Sequence, residues 1–540
     1  MILRYYQVKA LRAIQREWES VNSTLLVLPT GTGKTVVFAH VIKSLFPRRV
    51  LVIAHRKELI TQAADKIRTV TGFRVDVEMA DDRAQLDCMF GGPQVVVSSV
   101  QTQCAGADGK GRMTRFDPTM FGALVIDEGH HSTGSSYLRM VDYYRAGNLN
   151  LKLLGVTATP DRADEEALGQ VYDTVAFDYE ILDAIQDGWL VPVQQQIVEV
   201  AGLDFSHMRT TAGDLNGADL ARVMEEERNL HEMATPTIEI VGNRRGIVFT
   251  ASVAQAERMC DILNRHREGS AAWVCGKTPK EEREKLLAAF SGGRIQYVCN
   301  CGVLTEGFDD AGVECIVMGR PTKSRSLYAQ MCGRATRPLP GVVDNAPDDP
   351  TARQAAIASS GKKSMLIIDF VGNAGRHKLM TSADILGGKV SEEAQERAVS
   401  DARKTGTPVD MAATLAEVEE EIKAEKLAAE ARRLKLKARA QWQSRNVDPF
   451  DVFQIEHPRE SRYERHLSEK QRGLLEKQGI DPDSVSAQAG QQLLNEIFRR
   501  WKTGLCSYKQ ARCLRRHGYT GTETREEAGR ILDGIFGGRK

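Results

Sequence analysis

Short, continuous apolar runs recur along the first part of the chain, each bounded by polar or glycine-rich turns. Leu25-Leu26-Val27-Leu28, Ala123-Leu124-Val125-Ile126, Gly246-Ile247-Val248-Phe249-Thr250 and Leu366-Ile367-Ile368 predict buried strands of parallel sheets, being too short and too uniformly apolar for surface helices. A helical pattern opens at Val36-Val37-Phe38, so strand, loop and helix follow one another there. The pattern changes from Pro408 to Arg445, which predicts one long helix, acidic first (Glu417, Glu419, Glu420, Glu421) and basic last (Arg432, Arg433, Lys435, Lys437, Arg439), in keeping with the helix dipole. Its apolar positions hold no heptad, so a solvated strut or packing arm is expected rather than a coiled-coil dimer.

The loop after the first run reads Pro29-Thr30-Gly31-Thr32-Gly33-Lys34-Thr35. Gly31 and Gly33 permit a fold-back that turns backbone N–H groups inward, and the following helix adds the positive end of its dipole, so a polyphosphate such as ATP fits. Lys34 is then placed for the β- and γ-phosphates, and Thr35 for Mg2+. Leu28 stands where the G-x-x-x-x-G-K-T pattern has its first glycine, and by itself the segment could be a glycine-rich turn. A second piece sharpens the reading. The run Ala123–Ile126 delivers Asp127-Glu128-Gly129-His130 at its carboxyl end, where open α/β sheets bind ligands. Asp127 is expected to hold Mg2+ and Glu128 to polarise the water that attacks the γ-phosphate. His130 and His131 adjoin without metal-ligand spacing, so no zinc site is expected.

With these two pieces the chain resembles the superfamily 2 helicases and translocases of the DExH type, and further segments carry the likeness. Arg4-Tyr5-Tyr6-Gln7 resembles the adenine-reading Q motif, with Tyr5 in place of the family's proline; the likeness implies that Gln7 meets the base edge. Ala54-His55-Arg56-Lys57-Glu58-Leu59 and Ser98-Ser99-Val100-Gln101-Thr102 resemble motifs Ia and Ib, which implies that His55, Arg56, Ser99, Gln101 and Thr102 line a nucleic-acid track. Thr157-Ala158-Thr159-Pro160 matches motif III, implying that Thr157 and Thr159, with His130, couple hydrolysis to strand movement. Taken alone it is plain turn chemistry. Gly246–Thr250 resembles motif IV, with Ser252 placed for a phosphate. Val303-Leu304-Thr305-Glu306-Gly307-Phe308-Asp309 matches motif V, implying that Thr305 touches the backbone and that Gly307 and Asp309 face the nucleotide. Gln330-Met331-Cys332-Gly333-Arg334-Ala335-Thr336-Arg337 matches motif VI, implying catalytic roles for Gln330, Arg334 and Arg337. Spaced three apart, the two arginines are expected on one helical face, pointing together across a cleft. A finer likeness, to RadD-like bacterial DNA-repair helicases, rests on Leu304–Asp309 and Ile367–Asn373. That branch has a cysteine-rich zinc module after the motor, whereas no cysteine lies here between Cys332 and Cys506.

The resemblance implies an α/β fold with two tandem RecA-like lobes on parallel sheets; the chain's own pattern adds a long helix and a small all-α C-terminal tandem-repeat module. The expected division is 1–195 for lobe one, 196–235 for a linker, 236–390 for lobe two, 391–445 for a linker with the charged helix, and 446–540 for the repeat module. Gly188–Pro192 reads as the exit from lobe one, and Pro338–Lys363, rich in Gly, Pro, Asp, Ala and Ser, as an inserted mobile loop. The module is an internal duplication. Ser468-Glu469-Lys470-Gln471 with Leu475 and Gly479 recurs as Ser507-Tyr508-Lys509-Gln510 with Leu514 and Gly518. A period of roughly 39 residues predicts paired helical hairpins, capped by the serines and ended by the glycines. Arg499, Arg500, Lys502, Lys509, Arg512, Arg515 and Arg516, interleaved with Trp501 and Tyr508, suggest a phosphate-and-base-binding surface. The competing reading is a solvated basic face with Trp501 in a small core, or a protein-docking role.

Ten cysteines are scattered, and Cys299 and Cys301 fall in a predicted buried strand, so reduced core thiols are expected. The N-terminus shows no signal-peptide pattern and no apolar run approaches a membrane span, which points to the cytoplasm and to no membrane partner; a monomer is expected. Net charge is only +1, so affinity for a polyanion must come from local charge. Three readings follow. One is an ATP- and Mg2+-dependent helicase or single-strand translocase, on DNA in preference to RNA; another is a double-strand translocase that separates no strands. The last is an ATP-switched clamp whose C-terminal repeats hold a protein partner.

Overall fold

The structure is a computed structural model that describes residues 3–536 apart from 87–91, 106–110, 159–167, 212, 306, 376, 389, 445–447 and 459–465. It divides into two units, Met1–Ile422 and Lys423–Lys540.

The first unit contains two seven-stranded sheets. In the first sheet the strands are β1 (Ser23–Val27), β2 (Arg49–Ile53), β3 (Val75–Glu78), β4 (Val95–Ser98), β5 (Phe121–Asp127), β6 (Lys152–Thr157) and β7 (Thr174–Asp178). They lie in the order β3-β4-β2-β5-β6-β1-β7, every pair parallel. Helices cover both faces, so β1 and β4 are buried at every residue, which is why these strands read as unbroken apolar runs. The second sheet uses β8 (Val193–Asp204), β11 (Gly246–Thr250), β12 (Ala271–Cys275), β13 (Tyr297–Cys301), β14 (Cys315–Gly319), β15 (Met365–Asn373) and β16 (Val409–Asp410), ordered β12-β13-β11-β14-β15-β8-β16. Only the short β16 runs antiparallel. The small strands β9 (Thr210–Thr211) and β10 (Asp214–Leu215) pair as a separate ribbon. Cys299 is fully buried in β13 with its thiol pushed well up by burial, Cys301 at the strand's end is half-buried, and the described cysteines are free.

Two expectations are corrected here. The stretch 196–235 is no separate linker, because β8 pairs along its length with β15, and the helices Gly217–Met224 and Glu227–Val241 pack into the same core as Val200, Leu203 and Phe370. Strand β8 reads Val-Gln-Gln-Gln-Ile, and its polarity concealed it; Gln195 is nevertheless fully buried, donating to Asp369 and accepting from Ser382 Oγ at 2.6 Å. Nor is 338–363 a structureless loop. It contains the helix Pro350–Ser359, capped by Asp349, whose Arg353 is 1% exposed.

The helix Met411–Ser444 crosses the boundary between the units. Met411, Leu415, Val418 and Ile422 are buried in the core of the first unit, so its first part is a packing arm. In the second unit the duplication appears as two helical hairpins, Glu469–Gln478 with Ala487–Thr503 and Tyr508–Arg516 with Arg525–Phe536. Ser468 and Ser507 form matching capping boxes with Gln471 and Gln510. Gly479 and Gly518 take positive φ at the helix ends.

Candidate active site and nucleic-acid track

The phosphate loop leaves β1 with Leu28 buried and its N–H bonded to Thr157 O at 2.9 Å, so the residue replacing the usual glycine is a core anchor. Gly31 and Gly33 have φ of 89° and 85°, and both need the missing side chain. A Cβ on Gly33 would lie 2.7 Å from Gln7 Nε2, and one on Gly31 would lie 2.8 Å from Arg337 Cγ. Gln7 Nε2 donates to Thr32 O at 2.9 Å, and Tyr6 OH donates to the same oxygen at 2.6 Å. Thr32 Oγ1 donates to Pro29 O at 2.8 Å and closes the turn. The Q-motif helix Tyr5–Ser20 therefore grips the loop directly. Tyr5, at the family's proline position, opens that helix and bonds Asp187.

Lys34 and Thr35 open the helix behind the loop. Lys34 Nζ lies 3.2 Å from Glu128 Oε1, with both side chains nearly nine-tenths buried. Asp127 Oδ1 accepts from the Glu128 N–H at 3.1 Å, and Glu128 has φ of 53°, a region that costs a non-glycine residue of order 1–3 kcal/mol. His130 Nδ1 is 3.1 Å from Thr157 Oγ1 and 3.5 Å from Glu128 Oε2, while its Nε2 is 3.3 Å from Ser326 Oγ of lobe two. Burial opposes the charge on Glu128, but Lys34, His130 and Arg334 outweigh it and hold the carboxyl below its usual range. His131 is pushed down to about 4, first by burial and then by His130 and His55. It packs against His55 at 5.1 Å, and among the described residues no group of His, Cys, Asp or Glu is arranged to hold a metal.

Lobe two supplies the opposite wall. The helix Arg325–Cys332 ends before motif VI is complete, so Arg334 and Arg337 do not share a helical face as expected; Arg334 sits in the turn beyond it and Arg337 in the irregular chain that follows. Arg334 Nη2 and Nη1 donate to Thr305 O at 2.7 Å and Phe308 O at 2.6 Å, which tethers motif VI to motif V. Arg337 pairs with Asp309 while its aliphatic stem lies over Gly31. A Cβ on Gly333 would lie 2.6 Å from Thr30 Cβ, another close approach of the two lobes. Gln330 is buried one turn after Ser326. Gly307 is placed elsewhere than the nucleotide reading expects, against Glu58, with its carbonyl accepting from Gln62 Nε2 at 2.8 Å. Sequence reasoning missed Ser326 and Lys362. Lys362 Nζ donates to Arg337 O at 2.6 Å, and burial with the nearby Arg337 charge pushes its amine down to about 7. Nothing in its local sequence announces that role.

Residues 1–162 match the family described as "Type III restriction enzyme, res subunit", and residues 229–338 match "Helicase conserved C-terminal domain". The paired domains are those of a superfamily 2 helicase. Relatives include the "Putative ATP-dependent helicase IRC3" of Saccharomyces cerevisiae, 30% identical over 353 residues, which are 62% of this chain and 49% of that one. The "Putative mitochondrial ATP-dependent helicase irc3" of Schizosaccharomyces pombe is 28% identical over 71% of this chain and 60% of its own. The chain thus spans about half to three-fifths of the length of these relatives. The "DNA 3'-5' translocase XPB2" of Sulfurisphaera tokodaii is 24% identical over 62% of this chain and 78% of its own. A solved fragment of a putative HsdR subunit of a type I restriction enzyme from Vibrio vulnificus shares the fold, with a TM-score of 0.50 at 20% identity over 70% of this chain and 65% of that one.

Along the expected nucleic-acid track, several side chains expected to meet phosphate hold local structure. Ser99 caps the helix Val100–Cys104, accepting from Thr102 N at 3.0 Å and donating to Thr102 Oγ1 at 2.9 Å, and Gln101 beside it is exposed. Ser252 caps Val253–His266 and bonds Glu225. Arg56 Nη1 reaches Gly302 O of lobe two at 3.1 Å, while His55 Nδ1 is buried without a hydrogen-bond partner among the described residues. Thr305 is buried, and Thr159 lies outside the described residues.

In the second unit two candidate contacts are corrected. Arg500 is 2% exposed and is a core residue: it pairs with Glu496 at 3.1 Å, donates to Cys506 O and Gly521 O, and lies over the Phe453 ring. Tyr508 is also buried, edge-on to Phe453. Arg499 holds Glu496 through two 2.7 Å bonds but stays exposed, as do Lys502 and Lys509; Arg512 is half-buried. Trp501 is 47% exposed, which excludes a place in the small core.

Proposed function

We propose that this protein couples ATP hydrolysis in the cleft between its lobes to movement along a nucleic-acid strand, as a DNA helicase or single-strand translocase. The observation that carries the reading is the convergence of Lys34, Glu128 and His130 from lobe one with Ser326, Arg334 and Arg337 from lobe two around the glycine loop. Glu128 is kept ionised and so can accept a proton from an attacking water. The loop N–H groups and Lys34 receive the phosphates, and the two arginines, always charged, are near enough to stabilise charge that develops on the transferred group. Thr35 and Asp127 fit a Mg2+ ion, which when bound would neutralise phosphate charge. His130, touching Glu128, Thr157 and Ser326, can report to the catalytic carboxylate whether the lobes are together. DNA is favoured over RNA by the RadD-like segments and by relatives named for DNA translocation and restriction.

A second reading, translocation without strand separation, is favoured by the relative named as a translocase. Steady-state ATP hydrolysis without nucleic acid, then with single-stranded DNA, duplex DNA and single-stranded RNA at one salt concentration, tests both. Stimulation by single-stranded DNA supports the first and duplex-only stimulation the second; RNA-only stimulation or none overturns the DNA-motor reading.

A further inference from the structure

Charge is divided unevenly along this nearly neutral chain. Met1–Ile422 holds 48 Lys and Arg against 56 Asp and Glu, whereas Lys423–Lys540 holds 25 against 16. Exposed aromatic rings are divided in the same direction: among the described residues Phe498, Trp501, Tyr519 and Phe536 of the second unit are exposed, against Phe46 in the first. Two of them adjoin on one helix. Phe498 and Trp501 are 46% and 47% exposed, three residues apart on Ala487–Thr503, with ring centroids 5.4 Å apart and planes at 81°. The buried side of this helix already has its partners, Leu493, Leu494 and Ile497 in the unit's core, so the rings are left over from folding.

The exposed face of that helix bears no carboxylate. Its exposed positions are Gln488, Gln491, Asn495, Phe498, Arg499, Trp501, Lys502 and Thr503, and its sole acid, Glu496, is buried between Arg499 and Arg500. A protein-facing apolar patch would not need amides and cations around a pair of half-open rings. Flat rings for bases, cations for phosphates and amides for base edges are what single-stranded nucleic acid requires.

We infer that the face bearing Phe498 and Trp501 is a stacking platform for single-stranded nucleic acid, with Lys502 and Arg499 on its phosphates. The inference rests on the motor reading above for its biological sense. It differs from the basic surface drawn from sequence in that Arg500 and Tyr508 are core, and Phe498, unnoticed there, is a principal contact.

The test uses the full chain and a fluorescein-labelled dT20 over a salt series. Phe498→Leu with Trp501→Leu keeps apolar bulk but removes the flat rings, and is expected to weaken binding by about tenfold or more; Phe498→Tyr with Trp501→Phe keeps it within about threefold. Lys502→Gln should lower the slope of log affinity against log salt by about 0.7, which the leucine pair should not. Wild-type affinity in the leucine pair, with thermal melting unchanged, overturns the platform. ATP hydrolysis by the wild-type chain that dT20 does not stimulate counts against the single-strand motor reading instead, and leaves the platform standing if binding still follows the rings.

Discussion

At Glu128 three influences compete at one carboxylate. Burial disfavours its charge and the positive φ disfavours its backbone, yet Lys34 at 3.2 Å and His130 at 3.5 Å keep it ionised. Lys34→Ala or Arg334→Ala should therefore lower ATP turnover by about a thousandfold or more, and a purified, folded variant with normal turnover would remove these site assignments. Ser326 makes one hydrogen bond to His130, so Ser326→Ala should lower nucleic-acid-stimulated kcat by only about three- to tenfold with KM for ATP retained, as measured by steady-state kinetics. Asp369 is a different case. Burial between β15 and its neighbours raises its carboxyl to about 6, against the hydrogen bonds from Tyr328 and Gln195. A raised carboxyl pKa contributes stability that is complete below the unfolded value near 4 and is lost as pH rises through 6. Asp369→Asn should gain on wild type by about 1 kcal/mol between pH 5 and pH 7, measured by denaturant unfolding at the two pH values.

Among the elements, the helix Pro350–Ser359 has the most specific placement. Arg353 Nε donates to Asp187 O at 2.8 Å, its Nη1 meets Asp348 at 2.9 Å, and its guanidinium lies 4.1 Å from the centre of the Trp189 ring, whose surroundings also include Arg4 at 4.3 Å. Residues leading into lobe two are thus pinned by an insertion from lobe two itself, while Asp344 of the same insertion pairs with Arg4 of the Q motif. Arg353→Ala should cost about 2–3 kcal/mol, seen as a lower thermal midpoint, and Arg353→Lys should recover only part because an ammonium cannot make the same planar contacts. Strand β8 shows the reverse lesson about polarity. Three glutamines hide it in a sequence, and only the Asp369 and Ser382 partners of Gln195 make its burial affordable.

For the whole molecule, charge separation matters more than net charge. A second unit carrying 25 cations against 16 acids is suited to a polyanion that the acidic first unit would not attract at a distance. Removing residues 446–540 should weaken affinity for single-stranded DNA and flatten its salt dependence, checked by titration at several salt concentrations; unchanged affinity across the series would exclude this unit from binding. Among the described residues no helix is long and apolar enough to cross a membrane.

Local chemistry was enough to read the glycine loop, the Asp127–His130 strand end and the capped C-terminal repeats, because each depends on a backbone preference or a short periodicity. The helix at 350 was legible too, had Asp349-Pro350 been taken as a cap and first turn before an alanine-rich stretch. Tertiary structure alone decided which cations are exposed. Arg499 and Arg500 are neighbours of one type, yet Glu496, Gly521 and Phe453 draw one into the core and leave the other at the surface. It also brought Ser326 to His130 and Lys362 to Arg337, across 196 and 25 residues of chain. A one-dimensional pattern records what a residue prefers; its partners are set by distances that only folding creates.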